Sequence, residues 1–318
     1  MPSPSNDIAT LIKSQAASLG FDACGFAAAA PVADEAVARY ERWVEQGHHG
    51  CMQWAAGHSD LRRDPARLLE GARTVISLAL NYYPARFQPP GTLRVAYYAY
   101  GCDYHEVLRK RLTKLAHFIE EITHCATRPC VDSAPIRERY WAQQAGIGFI
   151  GRNNCLIIPG KGSFFFLGEI VTTAQLPPDK PCTMTCADCG KCVESCPAGA
   201  LTPQGTVDAS RCLSCLLIEN HDEQLPDWVA DVIGNRVVGC DECQLCCPHN
   251  AHAVPTTVED FAPTEAVMTL TRERIEAMTS GEFKRTFAHS AIARVRLKTL
   301  RRNAALVMKQ NIKLNKEL

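Results

Sequence analysis

Apolar residues recur along the first half of the chain at two different spacings. Ile8 to Leu19 carries them at helical intervals. Tyr104 to Ile122 does so more fully, with Val107, Leu108, Leu112, Leu115, Phe118, Ile119 and Ile122 on one stripe. Such a stripe is the face an amphipathic helix turns to a core. Two other segments are continuous rather than periodic. Thr74-Val75-Ile76-Ser77-Leu78-Ala79-Leu80 lies between Gly71 and Pro84, and Ser163 to Thr173 contains the run Phe164 to Leu167. Short apolar runs bounded by chain breakers predict strands buried on both faces. Helices alternating with such strands predict a layered α/β or α+β domain built on a sheet.

The proline-rich stretch Gln175-Leu176-Pro177-Pro178-Asp179-Lys180-Pro181 ends this region. It divides the chain into three expected parts: a layered domain over 1–178, a cysteine-rich domain over 179–260, and a short helical region over 261–318. The middle part, about 182–255, reads as poor in apolar core residues, so bound metal is expected to hold it together. The last part is basic. Ten Lys or Arg residues fall between Lys284 and Lys316, among them Arg294, Arg296, Lys298, Arg301, Arg302, Lys309, Lys313 and Lys316, with Glu317 the one acid beside them. A run of this kind reads either as a solvated helix face or as a footprint for a phosphate backbone.

Lysine plus arginine and aspartate plus glutamate both total 34, so no global field draws the protein to nucleic acid or membrane. No apolar stretch approaches the ~20 residues of a membrane span. Met1 to Thr10 lacks the basic start and apolar core of a secretory signal. A soluble cytoplasmic protein without membrane contact is expected, and a monomer, since nothing forces a dimer.

Cysteine changes the picture. There are 17, and eleven of them lie between Cys182 and Cys247. In a reducing compartment clustered cysteines bind metal more often than they pair. Cys186, Cys189, Cys192 and Cys196 before Pro197 spell C-x2-C-x2-C-x3-C-P, the bacterial ferredoxin run. Cys240, Cys243 and Cys247 before Pro248, with Cys212 upstream, make a partial second copy. Eight thiolates therefore serve two 4Fe–4S clusters. In two-cluster ferredoxins the fourth cysteine of a run serves the other cluster. One cluster should take Cys186, Cys189, Cys192 and Cys247, the other Cys196, Cys212, Cys240 and Cys243. Cys246 competes with Cys247, because Cys240-x2-Cys243-x2-Cys246 is also a valid run. Cys247 is favoured because the crossing ligand precedes proline, which leaves Cys182 and Cys215 spare. Zinc sites use separated C-x2-C pairs, which this pattern fits badly. Two adjacent clusters either stabilise the fold or form an electron wire between a donor and a redox centre.

The redox centre belongs in the first region, yet the usual fingerprints fail there. Gly146-Ile147-Gly148-Phe149-Ile150-Gly151 fits G-x-G-x-x-G, but Arg139 to Ala145 before it reads as helix where a strand is required. A glycine-rich turn before an Asn154 to Ile158 strand is the plainer reading. No Walker-type phosphate loop is present. Asp103-Tyr104-His105 begins like the D-x-H-x-x-G signature of corrinoid proteins that ligate cobalt through histidine, but Leu108 stands where glycine is needed.

A more specific likeness runs through nearly the whole chain. Gly101-Cys102-Asp103-Tyr104-His105, Val131-Asp132-Ser133, Arg139 to Gly146, Ile147-Gly148-Phe149, Asn153-Asn154, Arg211-Cys212-Leu213-Ser214, Gly239-Cys240-Asp241-Glu242-Cys243 and Arg302-Asn303-Ala304 occur in order, with the same cysteine spacing. This closely resembles epoxyqueuosine reductase. Longer members of that family carry a C-terminal helical-repeat extension that this chain lacks, and Cys215 and Cys246 stand where other members carry other residues. The resemblance implies an oxidoreductase that reduces the epoxide of epoxyqueuosine at the tRNA wobble position to the alkene of queuosine. It also implies cob(II)alamin, held without a histidine ligand and fed single electrons by the clusters. By the same likeness the corrin contacts include Arg62, Tyr97, Asp132, Asn153, Leu156, Leu167, Ser214, Cys240 and Asp241. Asp132 stands in the position of the proton donor, which requires a raised carboxyl pKa. On its local sequence alone, Asp132 reads instead as the cap of a helix starting near Ala134-Pro135.

The implied partners are a tRNA bearing epoxyqueuosine and an electron-donor protein that the sequence does not name. Two other readings remain in view: a corrinoid reductive dehalogenase, and a non-catalytic ferredoxin-type electron carrier. Ser214 and Asp241 lie beside Cys212 and Cys240, so the second cluster is expected nearer the corrin and the first is expected to receive electrons.

Overall fold

The computed structural model describes residues 4–317, and the side chains of 7–308. Lys309, Lys313 and Lys316 of the basic stretch lie outside the described side chains.

Four strands of the first region form one antiparallel sheet. Its order is Ala23–Ala28, Thr74–Asn81, Phe165–Thr172, Thr127–Cys130. The two expected strands are the central pair, in register from Thr74 opposite Thr172 to Asn81 opposite Phe165. Being central and covered on both faces, they show no polar alternation. Period two survives in what each residue touches. Ile76, Leu78, Leu80 and Ile170 face the helices Pro4–Ser18 and Tyr104–Thr123, packing on Ile12, Ala16, Leu108, Leu112, Leu115 and Ile119. Val75, Ala79 and Val171 face the other way, onto Val37 of the helix Asp34–Glu45 and Trp141 and Ala142 of the helix Glu138–Gln144. Gly168 lets the long helix close on the sheet, because a β-carbon there would stand 2.8 Å from a Leu112 methyl. The helix starts where Asp103 accepts a hydrogen bond from the His105 N–H at 3.0 Å, an N-cap that also aims the His105 side chain.

The G-x-G-x-x-G segment is a packing device, as its helical lead-in implies. It carries the strand Phe149–Ile150, paired with Leu156–Ile157. A β-carbon on Gly148 would lie 2.3 Å from the Ile157 carbonyl oxygen, and one on Gly146 2.5 Å from that of Lys180.

The middle region departs from expectation in one respect. Its cysteine loops are poor in core residues, but the stretch between the two cysteine copies is not. Leu213, Leu216, Leu217, Val229, Ile233, Val237 and Val238 are buried in one core with Leu93, Val95, Ala99 and Tyr100 and with Val267, Ile275, Phe287, Ile292, Leu300 and Val307 of the C-terminal region. Arg94–Val95 even pairs, in parallel, with Arg236–Val238. The C-terminal helix Leu297–Glu317 is tied down by Asn303, whose fully buried amide donates to Leu217 O at 2.9 Å and Val237 O at 2.8 Å. Apolar burial therefore holds this region alongside any metal.

Candidate active site

Three segments meet at the start of the long helix: Asp103 to His105, the turn at Asp132, and the one-turn helix Ala291–Val295. His105 is buried, and Tyr104 stacks on it with ring centroids 4.0 Å apart. Its Nδ1 lies 2.6 Å from Asp103 Oδ1 and its Nε2 2.6 Å from Asp132 Oδ2. Arg294 reaches the same imidazole, and its Nη1 stands 3.7 Å from Asp132 Oδ2.

The charges set one another. Burial pushes the His105 pKa down, but the hydrogen bonds to Asp103 and Asp132 outweigh it and leave it above its ordinary value. Burial pushes the Asp132 carboxyl up, and His105 and Arg294 more than reverse this, holding it below the usual carboxylate range. The raised Asp132 pKa expected of a proton donor is therefore not what these neighbours produce. Each shift favours the charged form of its own group, imidazolium for His105 and carboxylate for Asp132. Each ring nitrogen faces a carboxylate oxygen at 2.6 Å.

The cap reading of Asp132 fails. The helix begins at Glu138, and Asp132 sits six positions earlier in a turn with φ +38°. Its N–H donates to Glu138 Oε1 at 2.7 Å. Behind this turn lies a second carboxyl. Glu169 projects from the central strand, wholly buried, between Ser77 and Cys130 of the flanking strands. The Ser77 hydroxyl donates to Glu169 Oε1 at 3.3 Å, while Oε2 has no hydrogen-bond partner.

The residues expected around a corrin fall into groups. Tyr97 and Asp241 touch, the Tyr97 N–H donating to Asp241 Oδ2 at 2.8 Å. Burial pushes the Asp241 carboxyl up to about 6, against that hydrogen bond. Cys240 adjoins Asp241, and Ser214 lies in the helix Leu213–Ile218 beside Cys212. Asn153 is buried and donates to Cys243 O at 3.0 Å, and Leu156 follows it into the hairpin. Leu167 lies in the central strand opposite Ala79. Tyr98 links these groups to the aspartate site: its hydroxyl pKa is raised by burial first and then by Asp241, with Arg294 opposing and Asp132 adding to the rise. Arg62 stands apart, bonded to Gly57 O and Trp54 O of its own loop. That loop leans on the Leu213–Ile218 helix, Trp54 Nε1 donating to Glu219 at 3.3 Å.

The cysteines gather in two sets. Cys186, Cys189, Cys192 and Cys247 line one cavity with Arg152, Asn153, Ile157, Pro248 and His249. Cys246 is not among its lining residues. Cys196, Cys212, Cys240 and Cys243 form the second set, Cys212 acting electrostatically on Cys240 and on Cys243. Backbone N–H groups point at these sulfurs: Ala200 at Cys196, 3.2 Å away, Ser214 and Cys215 at Cys212, Glu242 at Cys240. Thiolate sets with amide donors suit 4Fe–4S cubanes, whose potentials such bonds tune. Two cysteines outside the expected ligands join in. Cys155 hydrogen-bonds Cys243, and Cys215 lies with its sulfur 3.5 Å from that of Cys51.

The basic stretch divides. Arg301 and Arg302 turn inward onto carbonyl oxygens of Met278, Leu216, Asn220 and Asp222. Lys298 pairs with Glu223 at 2.7 Å. Arg294 and Arg296 line a polar cavity with Ile218, Glu219, His221 and Ala293. His105, Arg294 and Glu138 were not read as site residues. The only signal was the Asp103-Tyr104-His105 segment, and no local pattern joins it to residues so distant.

Comparison with known proteins fits this geometry. Residues 62–133 match the family described as "Epoxyqueuosine reductase QueG, DUF1730", and residues 185–250 a "4Fe-4S double cluster binding domain". The chain is 41% identical to an epoxyqueuosine reductase of Leadbetterella byssophila, covering 95% of this chain and 98% of that one. It is 42% identical to that of Gloeobacter violaceus over 93% and 94%. Among solved structures, an epoxyqueuosine reductase with an epoxyqueuosine-modified tRNA-Tyr stem loop superposes with a TM-score of 0.86, at 29% identity over 96% of this chain and 82% of that one. A Bacillus subtilis enzyme, with its catalytic aspartate loop swung out of the active site, gives 0.85 at the same identity and coverage.

Proposed function

The chain belongs to the epoxyqueuosine reductases, and we propose that Asp132 and His105 together supply the proton its reaction consumes. The reaction reduces the epoxide of epoxyqueuosine at the tRNA wobble position to the alkene of queuosine. Two electrons enter, both carbon–oxygen bonds break, a carbon–carbon double bond forms, and the oxygen leaves as hydroxide or water. The departing oxygen must be protonated.

The observation that carries the proposal is the 2.6 Å contact between His105 Nε2 and Asp132 Oδ2. In the open site the pair is imidazolium and carboxylate. A substrate that excludes water removes the solvation that favours the charged pair, and the proton passes to Asp132 Oδ2. Asp132 then presents a neutral acid, and Asp103 and Arg294 hold the imidazole in place. A Bacillus subtilis relative has its catalytic aspartate loop swung out of the active site, which supports taking the Asp132 turn as a gate on the donor.

Cobalamin, when bound, supplies low-valent cobalt as the reductant. Tyr97, Ser214, Cys240 and Asp241 form the surface that would hold the corrin against the second cysteine set. Asn153, Leu156, Leu167, Asp132 and, from its separate loop, Arg62 complete the proposed contacts. Cys196, Cys212, Cys240 and Cys243 hold the cluster nearer the corrin. Cys186, Cys189, Cys192 and Cys247 hold the outer one, which takes electrons from a separate donor protein. The tRNA stem loop is the substrate-bearing partner, and exposed Arg296 meets its backbone. The working state is a cytoplasmic monomer. Among the described residues no helix is long and apolar enough to cross a membrane.

The test is single turnover on tRNA carrying epoxyqueuosine. Asp132→Asn should lose turnover while the purified protein keeps the cobalamin spectrum and iron of the wild type. Full activity in that variant would sink the assignment of Asp132. Absence of a corrin spectrum from the wild-type protein would point instead to a ferredoxin-type carrier.

A further inference from the structure

We propose that Glu138 is the latch of the Asp132 turn, a positioning residue whose carboxylate fastens the backbone that presents Asp132, with Glu169 as its buried partner. This deepens the donor reading above and rests on it for its effect on turnover.

Asp132 occupies a backbone conformation that an L-residue resists, with φ +38°. Polar contacts at both its side chain and its backbone oppose its relaxation. Its carboxylate meets His105 and Arg294, and the His105 contact changes whenever the proton moves. Its N–H donates to Glu138 Oε1 at 2.7 Å, a bond the chemistry leaves alone. Glu138 is well placed to anchor. It opens a helix whose Trp141 and Ala142 are buried against the sheet, so its own backbone does not follow the turn.

The surroundings of Glu138 make the latch sensitive to protons. It is faced by Asp132 and His105 from the site, Arg139 from its own helix, Tyr104 from the long helix, and Cys130 and Glu169 from the sheet. Glu169 is a wholly buried carboxyl with one oxygen unpartnered. Two neighbouring carboxyls in such a place do not both ionise. Burial, then the Glu138 charge, pushes the Glu169 carboxyl well above its ordinary value, towards the neutral acid. Burial and the Asp132 charge push Glu138 up to about 7. Once ionised, Glu138 does two things. Its hydrogen bond to the Asp132 N–H becomes charge-assisted and holds the turn more firmly. Its negative charge raises the proton affinity of the Asp132 carboxyl and favours transfer from His105.

Glu138→Gln keeps the shape and an acceptor oxygen but cannot ionise. Its kcat at pH 8 should fall about tenfold to a hundredfold, with KM for the modified tRNA, iron and cobalamin unchanged. The acid limb of kcat near pH 7 should vanish. Glu138→Ala, which removes the acceptor, should fall further. Amide exchange over residues 131–134, corrected for intrinsic rate, should rise in both variants. In the wild-type protein it should slow as pH rises through 7. The wild-type measurement needs no variant to fold, and it reports the latch whether or not Asp132 is the donor. The two readings thus fail separately. An unchanged acid limb in Glu138→Gln, a loss confined to KM, or wild-type exchange at 131–134 indifferent to pH would each overturn the latch.

Discussion

His105 lies between two carboxylates, its Nδ1 2.6 Å from Asp103 Oδ1 and its Nε2 2.6 Å from Asp132 Oδ2. One of these aspartates caps the helix that carries His105, and the other sits 27 positions along the chain in a strained turn. The imidazole is thereby fixed in orientation.

Replacing His105 with Asn should cut single-turnover reduction by about 10²–10⁴-fold, the usual worth of a positioned proton-transfer group. Bound cobalamin should stay at the wild-type level. A loss of cobalamin instead would mean that the histidine ligates it after all.

The same pair predicts how stability depends on pH. The His105 pKa is raised, so its contribution is full below the ordinary histidine value of ~6.5 and is lost as pH climbs through the raised value. The Asp132 pKa is lowered, so its contribution is full above the ordinary aspartate value of ~3.9 and is lost as pH falls through the lowered value. The urea midpoint of wild type minus that of His105→Asn should therefore be largest between these limits and shrink on either side of them. With Asp132 40% exposed, solvent screening keeps the difference modest.

Cys247→Ser should lose or destabilise one cluster, whereas Cys246→Ser should keep both. Iron content and the electron paramagnetic resonance of the reduced protein separate the two outcomes. The cavity that Cys247 shares with Cys186, Cys189 and Cys192 is the reason for the asymmetry.

Two arginines only six positions apart should behave differently. Arg296→Ala, at the rim of the polar cavity, should weaken tRNA binding and lower the slope of log affinity against log salt by about 1. Arg302→Ala should mainly destabilise the fold, because its guanidinium satisfies carbonyl oxygens of Leu216, Asn220 and Asp222.

Leu112→Ala should cost about 2–5 kcal/mol in an equilibrium unfolding measurement, since the side chain is wholly buried against Gly168.

Much of this was legible before the fold was known. A cubane takes its first three ligands from one short loop, so the spacing of Cys186, Cys189, Cys192 and Cys196 carries its meaning locally. The stripe of the long helix and the continuous runs of the central strands do so too, because helix and strand periodicities are properties of a few consecutive residues. The choice of Cys247 over Cys246 rested on one local feature, the following proline; Cys247 lines the cavity with Cys186, Cys189 and Cys192, while Cys246 acts electrostatically on Cys192.

What only the tertiary structure decided is which distant groups share a charge environment. Arg294 reaches His105 across 189 positions, and Glu169 acts on Glu138 from a strand beyond the helix Glu138–Gln144 in sequence. Electrostatic coupling depends on separation in space and on burial, neither of which is written in spacing along the chain. For that reason Asp132 read as a cap or as a carboxyl with a raised pKa, while His105 and Arg294 beside it hold that pKa below the usual carboxylate range. The same holds for the basic stretch, in which only packing separates Arg302, turned inward as a structural tie, from Arg296, left facing solvent.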